Sequence, residues 1–405
     1  MEVTRKKETY GGDFIIHNDN LNSIFTPEDF NEELLMMRDS VKDFIDREVW
    51  PYKDRFEKKD YDFTKSLMQK AGELGFLSVS VPEEYGGMGM GFVSSMLVCD
   101  YISGSTGSLS TAFGAHTGIG TLPVVLYGTE EQKDKWLPKL ASGEAVGCFG
   151  LTESNHGSDP GGMTTKAVKD GDDWIINGSK MWITNGTVAD VAVVWAKDEE
   201  GIVRGFLLEK GMDGFTASDI HGKMSLRASI TSELFMKDVR VSDKNRLPGV
   251  EGLKGPLSCL TQARYSIVWG TIGAAIDCYE VALAYSKDRK QFSKPIAGFQ
   301  LTQKKLVEMV QEITKAQLLA IQLGKLKDSN LLDFAHISLG KKNNVAIARD
   351  CAKSAREILG ANGIMDDYSV MRHMMNLETV YTYEGTHEIH TLILGQKITD
   401  LPAFE

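Results

Sequence analysis

Trp174-Ile175-Ile176-Asn177-Gly178 joins aromatic and β-branched residues to an Asn-Gly pair, the composition of a strand that runs into a turn. Ala189–Trp195, Gly205–Leu208 and Leu234–Val241 are similar short runs bounded by Gly, Asp and Asn. Together they predict an antiparallel sheet of hairpins from about Cys148 to Val241. On either side the period changes from two residues to a helical one. Upstream, Thr26-Pro27-Glu28 reads as an N-cap with Pro at the first helical position, and Phe30 to Val49 continues the pattern as far as Pro51. Further helices are expected over Phe63–Leu74, Val93–Ile102, Ala112–Tyr127 and Glu130–Leu140, with a turn at Pro82–Gly87. Downstream, Gly and Pro cluster at Leu247–Pro256, and three stretches of more than 20 residues follow, Ala263–Arg289, Thr302–Lys325 and Leu331–Leu359. Gly360-Ala361-Asn362-Gly363 ends the third, and a last helix is expected over Thr386–Ile398.

The reading is therefore an α+β chain. It comprises an N-terminal α-helical domain (1–147), a middle antiparallel β domain (148–256) and a C-terminal four-helix bundle (257–405). The length of 405 residues suits two to four domains at roughly 100–200 residues each. With 42% hydrophobic and 25% charged residues the chain is of globular composition. Its 45 basic and 56 acidic residues leave a net charge of −11, which argues against a nucleic-acid partner. No uninterrupted run of about 18 apolar residues occurs, so no membrane partner is expected. The opening MEVTRKKETYGGDF has neither signal-peptide nor transit-peptide character. A bacterial cytoplasmic location is the expectation. Five scattered cysteines without a CxxC pair fit free thiols in a reducing compartment.

Several chemistries have no sequence basis. There is no strand-linked GxGxxG for a nicotinamide cofactor, no Walker motif, no HExxH and no GxSxG. His387 and His390 stand three apart but lack a carboxylate or thiolate set, so no metal site is expected. Three polar stretches stand out: Leu151–Pro160, Trp182-Ile183-Thr184-Asn185-Gly186 and Tyr383-Glu384-Gly385-Thr386-His387. Taken singly they read as a loop, a hairpin turn and a helix cap.

Taken together they resemble the acyl-CoA dehydrogenase family. The motifs are FGLTESNHGSD (Phe149–Asp159), WITN (Trp182–Asn185), KMSLRAS (Lys223–Ser229), DRKQF (Asp288–Phe292), LGANG (Leu359–Gly363) and TYEGTHEI (Thr382–Ile389), in family order over nearly the whole chain. From about residue 147 onward the chain is most similar to the glutaryl-CoA dehydrogenase branch, whereas GAHTGIGTLP in the first third is more like other members.

The resemblance implies an FAD enzyme, usually a homotetramer, that oxidises an acyl-CoA and passes electrons to electron-transfer flavoprotein. A carboxylate removes the α-proton and the β-hydrogen leaves as hydride to FAD N5. Glu384 matches the base, and the other location used for that base in some branches is Ala263 here, which cannot serve. Among FAD contacts, Thr152 and Thr184 match hydroxyls that bond the ring, and Trp182 the residue packed beside it. Phe149, Leu151, Ile183, Ser158, Thr386 and Phe404 complete the FAD contacts that the resemblance implies. Arg289, Gln300 and the turn Glu357, Leu359, Gly360, Ala361 match groups that reach the FAD of a neighbouring subunit, Glu357 replacing the commoner Gln. Ser158, Leu257, Arg264, Tyr383, Gly385 and Ser110 match substrate positions.

Two departures bear on the substrate. The Arg that holds the distal carboxylate of glutaryl-CoA falls on Ser110, which offers no bidentate cation. Asp100 falls near the pocket floor and has two readings: a helix-surface or structural carboxylate, or a second acid–base group acting on a remote ring carbon. The second reading, with the small residues of Leu109–Ala115, points to a cyclohexane- or cyclohexene-carboxyl-CoA. The alternatives are a glutaryl-CoA dehydrogenase, decarboxylating or not, a short- or branched-chain enzyme, an oxygen-reactive oxidase, and a flavin- or CoA-binding module without turnover.

Overall fold

The computed structural model describes residues 31–404 apart from residue 59. The expected cap at Thr26-Pro27-Glu28 and the helical position Phe30 lie outside these residues.

Six labelled helices precede the sheet. They are α1 (Glu32–Phe44), α2 (Tyr61–Glu73), α3 (Phe92–Ser105), α4 (Gly107–Gly114), α5 (Leu122–Tyr127) and α6 (Glu130–Ser142). Side-chain caps explain several starts: Asn31 accepts from the Leu34 amide at 2.9 Å, Asp60 from Phe63 at 2.9 Å, and Thr129 forms a capping box with Gln132. The expected helix Ala112–Tyr127 is really α4 and α5 joined by a wide π turn, Ala115–Thr121. Gly75 stops the chain after α2 with φ +81°. Phe44, Phe63, Leu67, Phe76, Val98, Ile102 and Phe113 bury their side chains together as the core of this region.

The sheet contains β1 (Gly147–Gly150), β2 (Lys166–Asp170), β3 (Asp173–Thr184), β4 (Val191–Lys197), β5 (Val203–Glu209), β6 (Phe215–Asp219) and β7 (Thr231–Ser242). Its order is β1-β4-β2-β3-β7-β6, with β5 on the other edge of β4. Most pairings are antiparallel, as expected. The correction is that β1 and β2 both run parallel to β4, Gly147 opposite Val191 and Lys166 opposite Lys197. Residues 151–165 form the long loop that returns the chain from β1 to β2 without making a hairpin.

The C-terminal region is built around α7 (Lys254–Asp288), flanked by α8 (Gln300–Asp328), α9 (Phe334–Leu359), α10 (Ser369–Thr382) and α11 (His387–Thr399). Val268, Trp269, Ile272, Ile276, Ile313, Ala320, Ala348 and Ala352 interlock in its core. Helix α10 was not anticipated from the sequence. Gly107–Tyr127 and Lys254–Asp288 are each long and apolar enough to cross a membrane by length and composition. The second is 67% buried over its most apolar window, and its apolar residues supply this core. All five cysteines are free and buried.

Candidate active site

A cavity of about 1450 Å³ opens where the helical regions meet the sheet. Four segments build its walls. From the loop after β1 come Thr152 and Ser158, beside Phe149 and Leu151 at the end of the strand. From β3 come Trp182, Ile183 and Thr184. Helix α7 contributes Leu257 and Arg264, and the turn between α10 and α11 contributes Tyr383, Glu384, Gly385 and Thr386. Ser110 on α4 and Phe404 near the chain end also line it.

Local structure accounts for the aim of several of these residues. Strand β3 slips register against β7 between Lys180 and Ile183, and Trp182 takes φ +65° within that irregularity. A bulge re-aims the side chains around it, and the indole is left 53% exposed at the cavity wall. Asn185, the last residue of the WITN motif, is buried and donates from Nδ2 to the Ala112 carbonyl at 2.9 Å, tying the strand end to α4. Behind the first loop, Glu153 is closed off by Thr164, Thr165 and Lys180. It accepts from the two threonine amides at 2.7 and 2.9 Å, from their hydroxyls at 2.7 and 2.6 Å, and from Lys180 Nζ at 2.9 Å. Lys180 also donates to the Leu151 carbonyl at 3.1 Å, which holds the segment carrying Thr152.

Glu384 sits in the turn between two helices with φ +50°, followed by Gly385 at φ +92°. Its Oε2 is shut away from solvent without a hydrogen-bond partner. Burial pushes the carboxyl up to about 7, while Arg264 and Lys341 pull the other way. Neither cation ion-pairs with the carboxylate. Arg264 Nε donates instead to the Glu384 main-chain carbonyl at 2.8 Å, and Lys341 Nζ to the carbonyls of Tyr383 and Gly385 at 2.7 and 2.6 Å. A carboxylate kept dry and unpaired gains basicity. Thr386 is also the cap of α11, accepting from the Ile389 amide at 3.2 Å, so this stretch both lines the site and starts a helix.

Some expected residues lie elsewhere. Asp100 does not line the cavity. Its helix crosses α7 at Gly273, where an added Cβ would stand 1.9 Å from the Asp100 carbonyl, and its carboxyl faces that crossing. Burial pushes it up to about 8, with Glu280 adding repulsion. Its Oδ1 is buried without a hydrogen-bond partner. Arg289, Gln300, Glu357, Gly360 and Ala361 are surface residues of the bundle outside the cavity, and Glu357 is ion-paired to Lys305 at 2.7 Å. Leu359 is buried in the bundle core. His387 stacks on Tyr381 with ring centroids 4.6 Å apart, whereas His390 is buried against Gly385. Lys341 and His390 are the site residues that sequence reasoning missed as such. A Lys341-Lys342 pair reads as a solvated helix face, and nothing local marks one of the two as buried.

The residues present fit a flavin. An open indole face beside two threonines and an unpaired carboxylate across the cavity suit a planar ring with a reacting thioester. The cavity also exceeds the roughly 300–1,000 Å³ typical of one small ligand.

Comparison with known proteins agrees with this geometry. Residues 31–144 match the acyl-CoA dehydrogenase N-terminal domain, 148–239 the middle domain and 251–399 the C-terminal domain. The chain belongs to the acyl-CoA dehydrogenase family. It is 36% identical to a probable acyl-CoA dehydrogenase of Bacillus subtilis, over 98% of this chain and 71% of that protein. The crystal structure of glutaryl-CoA dehydrogenase from Mycobacterium smegmatis superposes with a TM-score of 0.92 at 46% identity, covering 98% of this chain and 100% of the other. A glutaryl-CoA dehydrogenase from the same organism in complex with FADH2 gives 0.90 at 43% identity, over 94% and 98% of the two chains. The fold expected from the acyl-CoA dehydrogenase resemblance is the fold observed.

Proposed function

We propose that this protein is an FAD-dependent acyl-CoA dehydrogenase, an oxidoreductase acting on a CH–CH bond, in which Glu384 removes the α-proton. The observation that carries the reading is the buried, unpaired Oε2 of Glu384 facing a cavity lined by Trp182, Thr152 and Thr184. Bound FAD supplies the hydride acceptor. Thr152, Thr184 and Trp182 hold and orient it, with Phe149, Leu151, Ile183, Ser158, Thr386 and Phe404 around them. Leu257, Arg264, Tyr383 and Gly385 flank the thioester, and the walls exclude water from the proton transfer. Electron-transfer flavoprotein is the acceptor that the family resemblance supports, and a homotetramer is the assembly that brings Arg289, Gln300 and the Gly360-Ala361 turn to a neighbour's cofactor.

For the acyl group, an uncharged small chain, open or alicyclic, suits the lining best. Ser110 shares its hydroxyl hydrogen bond with Ser103. The lining cations are committed or remote: Lys223 Nζ donates to the Leu226 and Ser229 carbonyls and the Thr231 hydroxyl, Arg264 holds Glu384, and Lys254 is exposed on the first turn of α7. A free carboxylate there lacks a bidentate partner. Asp100 is not among the residues lining the cavity, so the lining gives no support to ring-specific 1,4 chemistry. Glutaryl-CoA is the second reading, favoured by the 46% identity to a glutaryl-CoA dehydrogenase.

The test is anaerobic titration of the holoenzyme with butyryl-, isobutyryl-, glutaryl-, cyclohexanecarboxyl- and cyclohex-1-ene-carboxyl-CoA, following flavin absorbance near 450 nm. Bleaching by uncharged thioesters and not by glutaryl-CoA is the expected result. Bleaching by glutaryl-CoA alone overturns the substrate reading, and no bleaching by any member overturns the dehydrogenase reading.

A further inference from the structure

Three consecutive carbonyls, those of Tyr383, Glu384 and Gly385, are each held by a buried cation. Arg264 takes the middle one, and Lys341, 1% exposed on α9, takes the two outer ones. The segment they hold has two successive residues at positive φ, +50° and +92°, a conformation that a non-glycine residue such as Glu384 resists unless its surroundings enforce it. A lysine is rarely buried without a carboxylate partner, because desolvation costs its charge heavily. Here no carboxylate ion-pairs with it among the described residues, and its partners are both main-chain oxygens flanking the base.

We propose that Lys341 is a positioning residue for the reaction: by bridging the Tyr383 and Gly385 carbonyls it fixes the backbone of Glu384 so that the carboxylate faces the cavity instead of turning to a cation. The division of labour is geometric. Were Lys341 to bond the carboxylate directly, it would neutralise the base it serves. By bonding the carbonyls on either side, it sets the direction of the Cα–Cβ bond of Glu384 and leaves Oε2 unpaired. Two N–H bonds are all the bridge requires, and the Lys341 Nζ makes both. Lys341 touches neither the reacting atoms nor, by this reading, the cofactor, so its loss acts through Glu384 alone. A misplacement of about 1 Å in a reacting group costs on the order of 100-fold in rate, which sets the expected scale.

The inference rests on Glu384 being the base, and the experiment separates the two. The substrate probe is a thioester with sulfur at the β position, which has exchangeable α-protons and no β-hydrogen to lose. Its α-hydrogen exchange with deuterated buffer is measured by mass spectrometry on FAD-loaded enzyme. Turnover of butyryl-CoA, or of whichever thioester bleaches the flavin, is measured in parallel. Lys341→Met should lower both exchange and kcat by about 10- to 100-fold with KM within about threefold. Flavin content and absorbance should stay as in the native enzyme, and Lys341→Arg should recover part of both rates. Unchanged exchange in Lys341→Met overturns the proposal, as does a loss confined to KM or to thermal stability. If Lys341→Met does not fold, Lys341→Gln is read by the same two rates, and unchanged rates overturn the proposal equally. Glu384→Gln is the control: exchange that survives in it refutes the base assignment itself.

Discussion

Arg264 donates from Nε to the main-chain carbonyl of Glu384 across 2.8 Å, while Oε2 of the same glutamate has no partner at all. A guanidinium beside a carboxylate usually forms a bidentate pair. Here it is spent on the backbone, and the carboxylate keeps its basicity.

That arrangement has a pH signature. Glu384 must be ionised to accept a proton, and burial pushes it up to about 7. The value of kcat/KM should therefore fall about tenfold per unit well below pH 7, rise through about 7 and level off above it. Arg264 lowers the glutamate's value, so Arg264→Met should move this limb to higher pH. A limb that stays in place, measured as kcat/KM against pH, would contradict the assignment.

Gly385 is required twice over. Its φ is +92°, and an added Cβ would stand 2.9 Å from His390 Nε2. Gly385→Ala should cost about 1–3 kcal/mol in backbone strain and lower kcat at least as strongly as it lowers stability. Adding His390→Ala should recover only the steric part, which a comparison of thermal midpoints for the single and double variants would reveal.

The Glu153–Lys180 pair is buried on both sides, at 5% and 1% exposure. Burial opposes the charge on Glu153, but Lys180 and the two threonines hold its carboxyl well below the usual range. Lys180→Met leaves that carboxylate uncompensated, at a cost of about 3–5 kcal/mol. It also frees the Leu151 carbonyl, so FAD should be retained less tightly on dialysis. Glu153→Gln combined with Lys180→Met should be milder than Lys180→Met alone, as chemical denaturation would show.

His116 supplies an acid-sensitive point away from the site. Its Nε2–H donates to the Leu140 carbonyl at 2.9 Å and its Nδ1 accepts from the Gly147 amide at 3.1 Å, an arrangement open only to the neutral ring. Burial lowers it from 6.5 to about 4. The unfolded chain takes up the proton first, so stability is lost as pH falls from about 6.5 to about 4. Over that window the loss amounts to roughly 3 kcal/mol. His116→Gln should flatten this part of the denaturation-midpoint curve.

Long periodic segments were the most legible part of the fold. The expected starts and ends of α6, α8 and α9 lie within a few residues of those observed, because each carries an apolar stripe, and α6 and α9 also begin at a capping box. Helix α10 escaped notice because much of it is polar and its one buried face docks on other elements. Asn376, for example, accepts from the Leu226 amide at 2.7 Å, a contact 150 residues away in sequence. The parallel pairings of β4 escaped for a related reason. Alternation tells that a residue run is a strand and says nothing about which strand lies beside it.

The order helix, sheet, helix was legible without a structure, as were the chemical groups at the site: Glu384 before Gly385, Trp182 and Thr184 at a strand end, Thr152 in a polar loop. These are matters of residue type and short-range spacing. Which charged groups are buried, and what they face, was not legible in that way. Asp100 had two open readings in the sequence, and Lys341 read as part of a solvated helix face. One turns to a helix crossing beside Gly273, and the other closes on two carbonyls beyond another helix. Burial of a charge is set by the elements that pack over it, and those come from distant parts of the chain.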